Sequence, residues 1–292
     1  MRKALYLVAS AMLGVLPATA STASAALIDF EPFDYTGTDL NGQAGGTGWN
    51  GGWFATGTSP SVQLANGGTS LSYPASFEPP ATTPPTSGTR LSTGGLVANA
   101  SSSRLLAETI NLSQDGNVRY VSTLIRKNVA NGGGVNNDSI LLEFVDSAAN
   151  RRFGLGIEGT GDKPWLNANG STTPLSGPAV TPGDTYFLVA KIVSSAASPD
   201  TAFLKVFGTG YGSEVPIAEP VTWDATISTS TGANLDRIRV RIDVAHTGAL
   251  PGEVDEIRIG TDWASVTAVP EPSSLVALGF GGLACLRRRR HH

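Results

Sequence analysis

The sequence is poor in cysteine, in histidine and in helical periodicity. Its only cysteine, Cys285, lies in an apolar segment near the C-terminus, so disulfides do not stabilise the main part of the chain. His246 is the single histidine before the terminal pair, which argues against a zinc site and leaves little for nucleophilic catalysis. No helical period is sustained over a dozen residues between positions 26 and 268. An α-helical domain is therefore not expected.

Positive charge is also scarce away from the two ends. Residues 26–286 contain 14 basic and 24 acidic side chains, a net charge near −10. This balance disfavours nucleic acid and anionic membrane surfaces as partners. Residues 26–268 are numerous enough for one domain with a sizeable core. The Pro- and Thr-rich stretch 74–88 is expected to be a surface loop of that domain, because residues 26–73 are too few to bury a core alone.

The N-terminal segment has the pattern of a secretory signal peptide. Arg2 and Lys3 precede an apolar stretch, Ala4–Leu16, and small residues then lead to Ala23 and Ala25. We expect cleavage after Ala25, so that residues 1–25 are removed.

The C-terminal segment combines a proline tag, an apolar run and an arginine cluster. The apolar run, Leu275–Leu286, has 12 residues and is shorter than the ~20 that a stable membrane-spanning helix needs. The order resembles the sorting signal of PEP-CTERM proteins, which that family exports and then cuts with an exosortase. This resemblance implies the secretion machinery and an exosortase-type enzyme as partners, with transient anchoring in the inner membrane through a short hydrophobic sorting helix. The predicted signal, within residues 269–292, comprises Val269, Pro270, Glu271, Pro272, Arg287, Arg288, Arg289 and Arg290.

Between these ends, the apolar residues alternate with a period of two. Ile238, Val240, Ile242 and Val244 are separated by charged residues, which predicts a strand with one solvent-facing side. Many short strands with glycine-rich turns indicate an all-β, antiparallel sandwich of the jelly-roll kind over residues 26–268. The other predicted strands are Val118–Ile125, Ile140–Val145, Phe153–Ile157, Tyr186–Val193 and Ala202–Phe207.

Both ends of this domain carry a second resemblance. The opening Phe30–Tyr35, with the glycine-rich turn ending at Trp49, and the closing Val254–Trp263 are similar to the first and last strands of laminin G-like or concanavalin-like jelly rolls in exported PEP-CTERM proteins. The resemblance implies that the first and last strands are neighbours and that the protein is exported to the surface.

Two stretches imitate catalytic motifs. Gly46–Gly51 satisfies G-x-G-x-x-G, but no buried strand precedes it and no helix follows, so nucleotide binding is not expected. Glu253, Asp255 and Glu256 are similar to the carboxylate strand of jelly-roll glucanases. Strict alternation places Glu253 and Asp255 on one face and Glu256 on the other, which removes the second catalytic carboxylate.

Two groups of residues are candidates for ligand binding. Asn136, Asn137 and Asp138 cluster oxygen ligands that calcium prefers, and calcium is the only cofactor that the sequence indicates. The alternative is a hairpin turn rich in Asn and Gly. Trp165, flanked by loop-forming residues, is the best candidate among five tryptophans for stacking on a sugar ring.

The sequence thus predicts an exported, non-enzymatic cell-surface or extracellular-matrix protein with weak carbohydrate binding. Two alternatives stay open, namely a polysaccharide-active enzyme on a jelly roll and a purely structural matrix component.

Overall fold

A computed structural model describes residues 26–57, 59–64, 69–73, 88–92, 99–129, 138–212, 214–230, 232–244 and 252–267. These ranges form two antiparallel sheets and one short helix, α1 (Trp263–Thr267). The eight-stranded sheet contains β1 (Leu27–Glu31), β3 (Gln63–Leu64), β4 (Leu91–Ser92), β6 (Val118–Lys127), β11 (Thr185–Val193), β12 (Asp200–Phe207), β13 (Ala225–Thr229) and β15 (Gly252–Gly260). The seven-stranded sheet contains β2 (Trp49–Ala55), β5 (Ala100–Asn111), β7 (Ser139–Val145), β8 (Arg151–Ile157), β9 (Pro164–Ala168), β10 (Ser171–Pro174) and β14 (Asn234–Asp243).

The chain passes between the sheets in the manner of a jelly roll. Strands β5 and β14 are neighbours in the seven-stranded sheet, and the strands that follow them, β6 and β15, are neighbours in the other. Strand β1 pairs with β15, so the first and last strands lie side by side. The predicted all-β sandwich is therefore confirmed, as is the neighbouring position of its terminal strands.

The alternating residues of the predicted strands build the core between the sheets. Ile238, Val240 and Ile242 are fully buried there, and the six strands predicted from alternation are all present with ends shifted by no more than a few residues. A second apolar cluster covers the outer face of the eight-stranded sheet, where Phe207 packs against Trp263 of α1. The chain itself thus covers part of this face.

The fold requires glycine at Gly46 and Gly48 for a reason unrelated to nucleotide binding. Phe30 and Thr47 exchange two backbone hydrogen bonds of 2.9 Å, which brings the glycine-rich turn against β1. A Cβ atom on Gly46 would lie 2.1 Å from the Phe30 carbonyl oxygen, and one on Gly48 would lie 1.9 Å from that of Ile28. Both glycines also have positive φ angles, so this close approach requires glycine.

The two terminal segments lie outside the described residues, as does the stretch 74–87. Within the described ranges, no helix has the length and apolar character needed to cross a membrane.

Candidate functional site

Several predicted site residues lie outside the described ranges. They are Asn136, Asn137, His246, the cleavage-site alanines Ala23 and Ala25, and the whole predicted sorting signal. Asp138 is described and buried, and its main-chain oxygen accepts a hydrogen bond of 2.7 Å from Lys127 Nζ. No group of three or more His, Cys, Asp or Glu side chains suited to a metal is present among the described residues. The calcium site stays a prediction.

Trp165 lies in a different setting from the one predicted. It belongs to strand β9 and not to a loop, and only 3% of its surface is exposed. The expectation, from the flanking sequence, that the indole face of Trp165 is exposed is therefore wrong. The turn-forming residues on both sides of Trp165 conceal this five-residue strand in the sequence. Its binding role stays a prediction.

Trp165 is on the outer face of the seven-stranded sheet. Strand pairing places it opposite Gly156 of β8, and Asn167 opposite Gly154. Gly154 is in turn paired with Glu143 of β7, and Glu143 with Arg239 of β14. The core-facing residues alternate with these, since Leu155 and Leu166 belong to the buried cluster between the sheets. Gly154 and Gly156, two residues apart on β8, therefore leave a floor without side chains on the outer face between β9 and β7.

Glu143 is a fully buried carboxylate held by two arginines. Arg151 Nη1 donates to its Oε1 at 3.1 Å, and Arg239 Nε donates to its Oε2 at 2.5 Å. The Glu143 side chain is 0% exposed, whereas the side chain of Arg151 is 26% exposed and that of Arg239 is 14% exposed. Two arginine side chains that reach solvent thus hold the buried carboxylate in place.

The Arg151 side chain lies across this floor. Its guanidinium carbon is 5.5 Å from the centroid of the Trp165 ring, a cation–π distance. The place of a Cβ atom on Gly154 is 3.6 Å from Arg151 Cδ, an ordinary contact distance, so the Arg151 side chain passes directly over Gly154. We call the surface formed by Glu143, Arg151, Gly154, Trp165 and Asn167 the Trp165 face.

Three buried polar atoms of the Trp165 face have no hydrogen-bond partner among the described residues. They are Arg151 Nε, Trp165 Nε1 and Asn167 Oδ1, two donors and one acceptor on adjacent strands. An unpartnered buried polar atom costs about 1–3 kcal/mol, and most such atoms in folded proteins are paired. The other half of the Asn167 amide is satisfied, because Nδ2 donates to the Ser171 carbonyl at 2.5 Å. The orientation of Asn167 Oδ1 is therefore fixed.

The Trp165 face can supply hydrogen bonds and an aromatic surface. Asp146, the carboxylate nearest to Glu143 in the sequence, does not suit acid catalysis. Burial alone would raise the pKa of Asp146, yet hydrogen bonds from Asn150 and Arg152 lower it below its usual range. Arg152 Nε and Nη2 donate to Asp146 Oδ2 at 2.9 Å and 2.6 Å. A carboxyl group in this state stays ionised.

The directions of the carboxylates on strand β15 differ from the sequence prediction at one residue, Glu256. A β-bulge between Asp255 and Arg258 interrupts the alternation, and Glu256 has a φ of 52°. Val254 and Ile257 both face the core, so two successive residues between them point outwards. The expectation that Glu256 projects from the opposite face to Asp255 is therefore wrong, and its Oε2 lies 3.2 Å from Arg258 Nη2 on the outer face.

Bringing the β15 carboxylates to one face does not expose them. Burial raises the pKa of Asp255 well above its usual range, and Ser70 Oγ and Leu71 N donate to Oδ2 at 2.6 Å and 2.7 Å. Glu253 borders a polar cleft of about 630 Å³ lined by Arg90 and Arg126, and it accepts a hydrogen bond of 2.6 Å from Nε of each. The charged groups at this cleft are satisfied by one another.

Several solved structures resemble this chain at low identity. An endo-β-1,4-glucuronan lyase from the fungus Trichoderma reesei is 11% identical, with a TM-score of 0.45, and the match covers 79% of this chain and 97% of that one. An endo-1,3-β-glucanase from Streptomyces sioyaensis is 12% identical, with a TM-score of 0.42 and coverage of 83% and 98%. The metal-free exoplasmic/lumenal domain of VIP36 is 8% identical, with a TM-score of 0.39 and coverage of 81% and 91%. No curated protein matches the sequence significantly.

The C-terminal segment gives the family match. Residues 268–290 match the model described as the PEP-CTERM protein-sorting motif, which covers the predicted Pro-Glu-Pro tag, the apolar run and the arginine cluster. The described body ends at Thr267, so the motif begins at the next residue. The chain carries a PEP-CTERM sorting motif, which indicates export and sorting to the cell envelope through an exosortase-type pathway.

Proposed function

We propose that the body of this protein is a non-enzymatic, surface-displayed polysaccharide-binding module and that the Trp165 face is its binding site. The observation that carries the proposal is a group of three buried polar atoms without a partner among the described residues, beside a tryptophan ring that the partly exposed Arg151 covers. Sugars offer what this group needs, because each ring has an apolar face and several hydroxyl groups that both donate and accept hydrogen bonds.

Binding requires Arg151 to leave the Trp165 ring. Its guanidinium is at the solvent edge, and among the described residues it donates to Glu143 at 3.1 Å. Once Arg151 swings outwards, a sugar ring can take its place on the indole, with Trp165 Nε1 donating to a sugar oxygen and Asn167 Oδ1 accepting from a hydroxyl group. Arg239 keeps Glu143 paired during this movement.

The geometry favours binding over hydrolysis. Glycoside hydrolysis commonly needs two carboxyl groups at a substrate, one of them protonated. On the Trp165 face Glu143 is bound by two arginines, and Asp146, which follows β7, has a lowered pKa. On β15 the carboxyl group with a raised pKa, Asp255, is enclosed by Ser70 and Leu71. A polysaccharide-active enzyme is for this reason only the second candidate. Its active site would be the cleft beside Glu253.

The sorting motif supplies the setting of this activity. We infer that an exosortase-type enzyme cuts the exported precursor near the Pro-Glu-Pro tag and that the body is then released or attached at the cell surface or in the extracellular matrix. A protein in that location meets extracellular polysaccharide directly.

The test is retention on a panel of immobilised polysaccharides, with and without EDTA. We expect saturable retention of the parent protein. Trp165→Ala should bind at least about tenfold more weakly, which corresponds to a loss of ~1.4 kcal/mol of binding free energy. Trp223→Ala is the matched control, because Trp223 packs against Trp263 beside the eight-stranded sheet. Loss of retention in EDTA would support the calcium site at Asn136–Asp138. No retention of the parent would favour a purely structural component, and release of new reducing ends would indicate the enzyme.

A further inference from the structure

The largest exposed apolar side chains of the described residues lie in one loop. Ile217 is 79% exposed and Val221 is 99% exposed, and both belong to the segment 214–222, which we call the apolar loop. The loop borders a groove of about 690 Å³ whose other wall includes Phe207 of β12. Single exposed apolar residues are common, but a loop that presents two of them beside an apolar groove is a candidate contact surface.

The apolar loop is firmly attached to the body on its inner side. Val215 is buried in the outer apolar cluster, and the Pro216 carbonyl accepts a hydrogen bond of 2.7 Å from Trp263 Nε1. Glu219 accepts hydrogen bonds from Lys191 Nζ and Tyr120 Oη at 2.7 Å and 2.5 Å. These contacts hold the loop in place while Ile217 and Val221 project outwards.

The chain leaves the body next to this loop. Trp263, which contacts Pro216, is the first residue of α1, and α1 ends at Thr267. The end is held in place, because Ser122 Oγ donates to the Val266 carbonyl and Thr267 Oγ1 donates to the Trp263 carbonyl, both at 2.8 Å. The sorting motif starts at residue 268, and its apolar run starts at Leu275. Eight residue steps span at most about 28 Å, so the apolar loop stays near the membrane that receives this run.

We infer that the apolar loop rests on the lipid bilayer while the precursor is held there by its C-terminal segment, with Ile217 and Val221 in the interface between headgroups and acyl chains. The same side of the body thus carries the exit point of the anchor and two projecting apolar side chains. A loop contact of this kind would fix the orientation of the body above the membrane, and with it the position of the Pro-Glu-Pro tag.

The contact of the apolar loop with the bilayer is weak, so it depends on the membrane anchor. The stabilisation from inserting one Val or Ile side chain scales with the apolar area that it buries, and partial insertion buries only part of that area. Two such side chains are insufficient to hold a free protein on a membrane. A tethered loop experiences a high effective concentration of lipid, so a weak contact becomes populated. Cleavage of the tag removes the tether, and the body then leaves the membrane.

The experiment uses the full chain reconstituted in phosphatidylcholine vesicles with brominated acyl chains. An environment-sensitive fluorophore is placed at Val221→Cys, at Ile217→Cys, or at Thr160→Cys as a control in an exposed turn after β8, each in a Cys285→Ser background. A label on the native Cys285 of the parent identifies preparations in which the tail is inserted. A protease site inserted after Ala268 allows the tail to be removed from the folded protein.

We expect bromine quenching of at least about twofold at positions 217 and 221, little at 160, and loss of quenching after cleavage. Vesicles in which Cys285 is quenched but positions 217 and 221 are not would overturn the inference. Protection of these positions from aqueous iodide without bromine quenching would also overturn it, because the loop would then be covered by protein, either the tail itself or a second copy.

Discussion

Two centres in this protein bring together a buried glutamate, an arginine and a tryptophan, and they differ in how fully their polar atoms are paired. At the inner centre, Glu31 of β1 accepts hydrogen bonds from Trp53 Nε1 at 2.9 Å, from Tyr35 Oη at 2.7 Å and from the Phe33 amide at 2.9 Å, and it pairs with Arg104. At the Trp165 face, Glu143 is equally buried, but three neighbouring polar atoms have no partner among the described residues.

The difference follows from position in the sandwich. Glu31 lies in the eight-stranded sheet and its partners Trp53 and Arg104 lie in the seven-stranded sheet, so this network connects the two layers. The Arg104 side chain is 3% exposed, whereas that of Arg151 is 26% exposed. A polar network inside the core must be complete to be tolerated, while one on an outer face can be completed by a ligand. We therefore expect the inner centre to stabilise the fold, and the unpaired atoms of the Trp165 face support the binding role proposed for it.

The largest expected effect is on the inner centre. Glu31→Gln leaves Arg104 without a counter-charge in the core, and we expect the free energy of unfolding to fall by about 3–5 kcal/mol. Glu143→Gln is the matched variant and should cost clearly less, because Arg151 and Arg239 both reach solvent. Denaturant unfolding of both variants provides the measurement. Equal losses would contradict the division between the two centres.

A smaller effect, dependent on pH, is expected beside the inner centre. Burial, reinforced by Glu108 and opposed by Arg104 and Arg119, raises the pKa of Asp29 from 3.8 to about 7. The folded state then binds a proton that the unfolded chain releases, so the free energy of unfolding falls as pH rises from about 4 to about 7. Each pKa unit corresponds to ~1.4 kcal/mol, which makes the total a few kcal/mol.

Asp29→Asn should remove most of this slope and stabilise the protein above pH 7. Asp255, whose pKa is also raised by burial, would leave a residual slope of the same sign. Thermal unfolding of parent and variant across this pH range measures the difference, and identical pH profiles would show that Asp29 is not the group responsible.

The smallest expected effect concerns Arg151. Arg151→Ala removes a cation–π contact worth roughly 0.5–1 kcal/mol and uncovers the Trp165 ring. If Arg151 competes with the sugar for that ring, the variant should bind polysaccharide about two- to fivefold more tightly, with little change in stability. Titration calorimetry gives the affinity. Binding weakened as strongly as by Trp165→Ala would mean that Arg151 is a principal ligand contact and not a cover.

Much of the fold follows from local sequence patterns, whereas the site depends on contacts between distant strands. Alternation in residues such as Ile238 and Val240 predicts the long strands, because burial of one face dictates a period of two. The same rule fails at Glu256, where a bulge adds one residue to the outer face. A bulge of this kind has no signal in an otherwise regular strand.

The candidate site shows the same limit. Trp165 stands out in the sequence as a tryptophan beside turn-forming residues, but its cover by Arg151 and its place opposite Gly156 arise from strand pairing. Glu143 and Arg239 are 96 positions apart, and Glu31 and Arg104 are 73 apart. Pairs at such separations become neighbours only through the topology, so sequence periodicity cannot distinguish the complete network from the incomplete one.

The most direct test is a crystal structure of the protein with an oligosaccharide derived from a polysaccharide that it retains. We expect a sugar ring stacked on Trp165, hydrogen bonds from the sugar to Trp165 Nε1 and Asn167 Oδ1, and the Arg151 guanidinium moved off the indole. A sugar bound instead in the cleft of Arg90 and Arg126, with Arg151 still covering Trp165, would contradict this account and move the binding site to the other sheet.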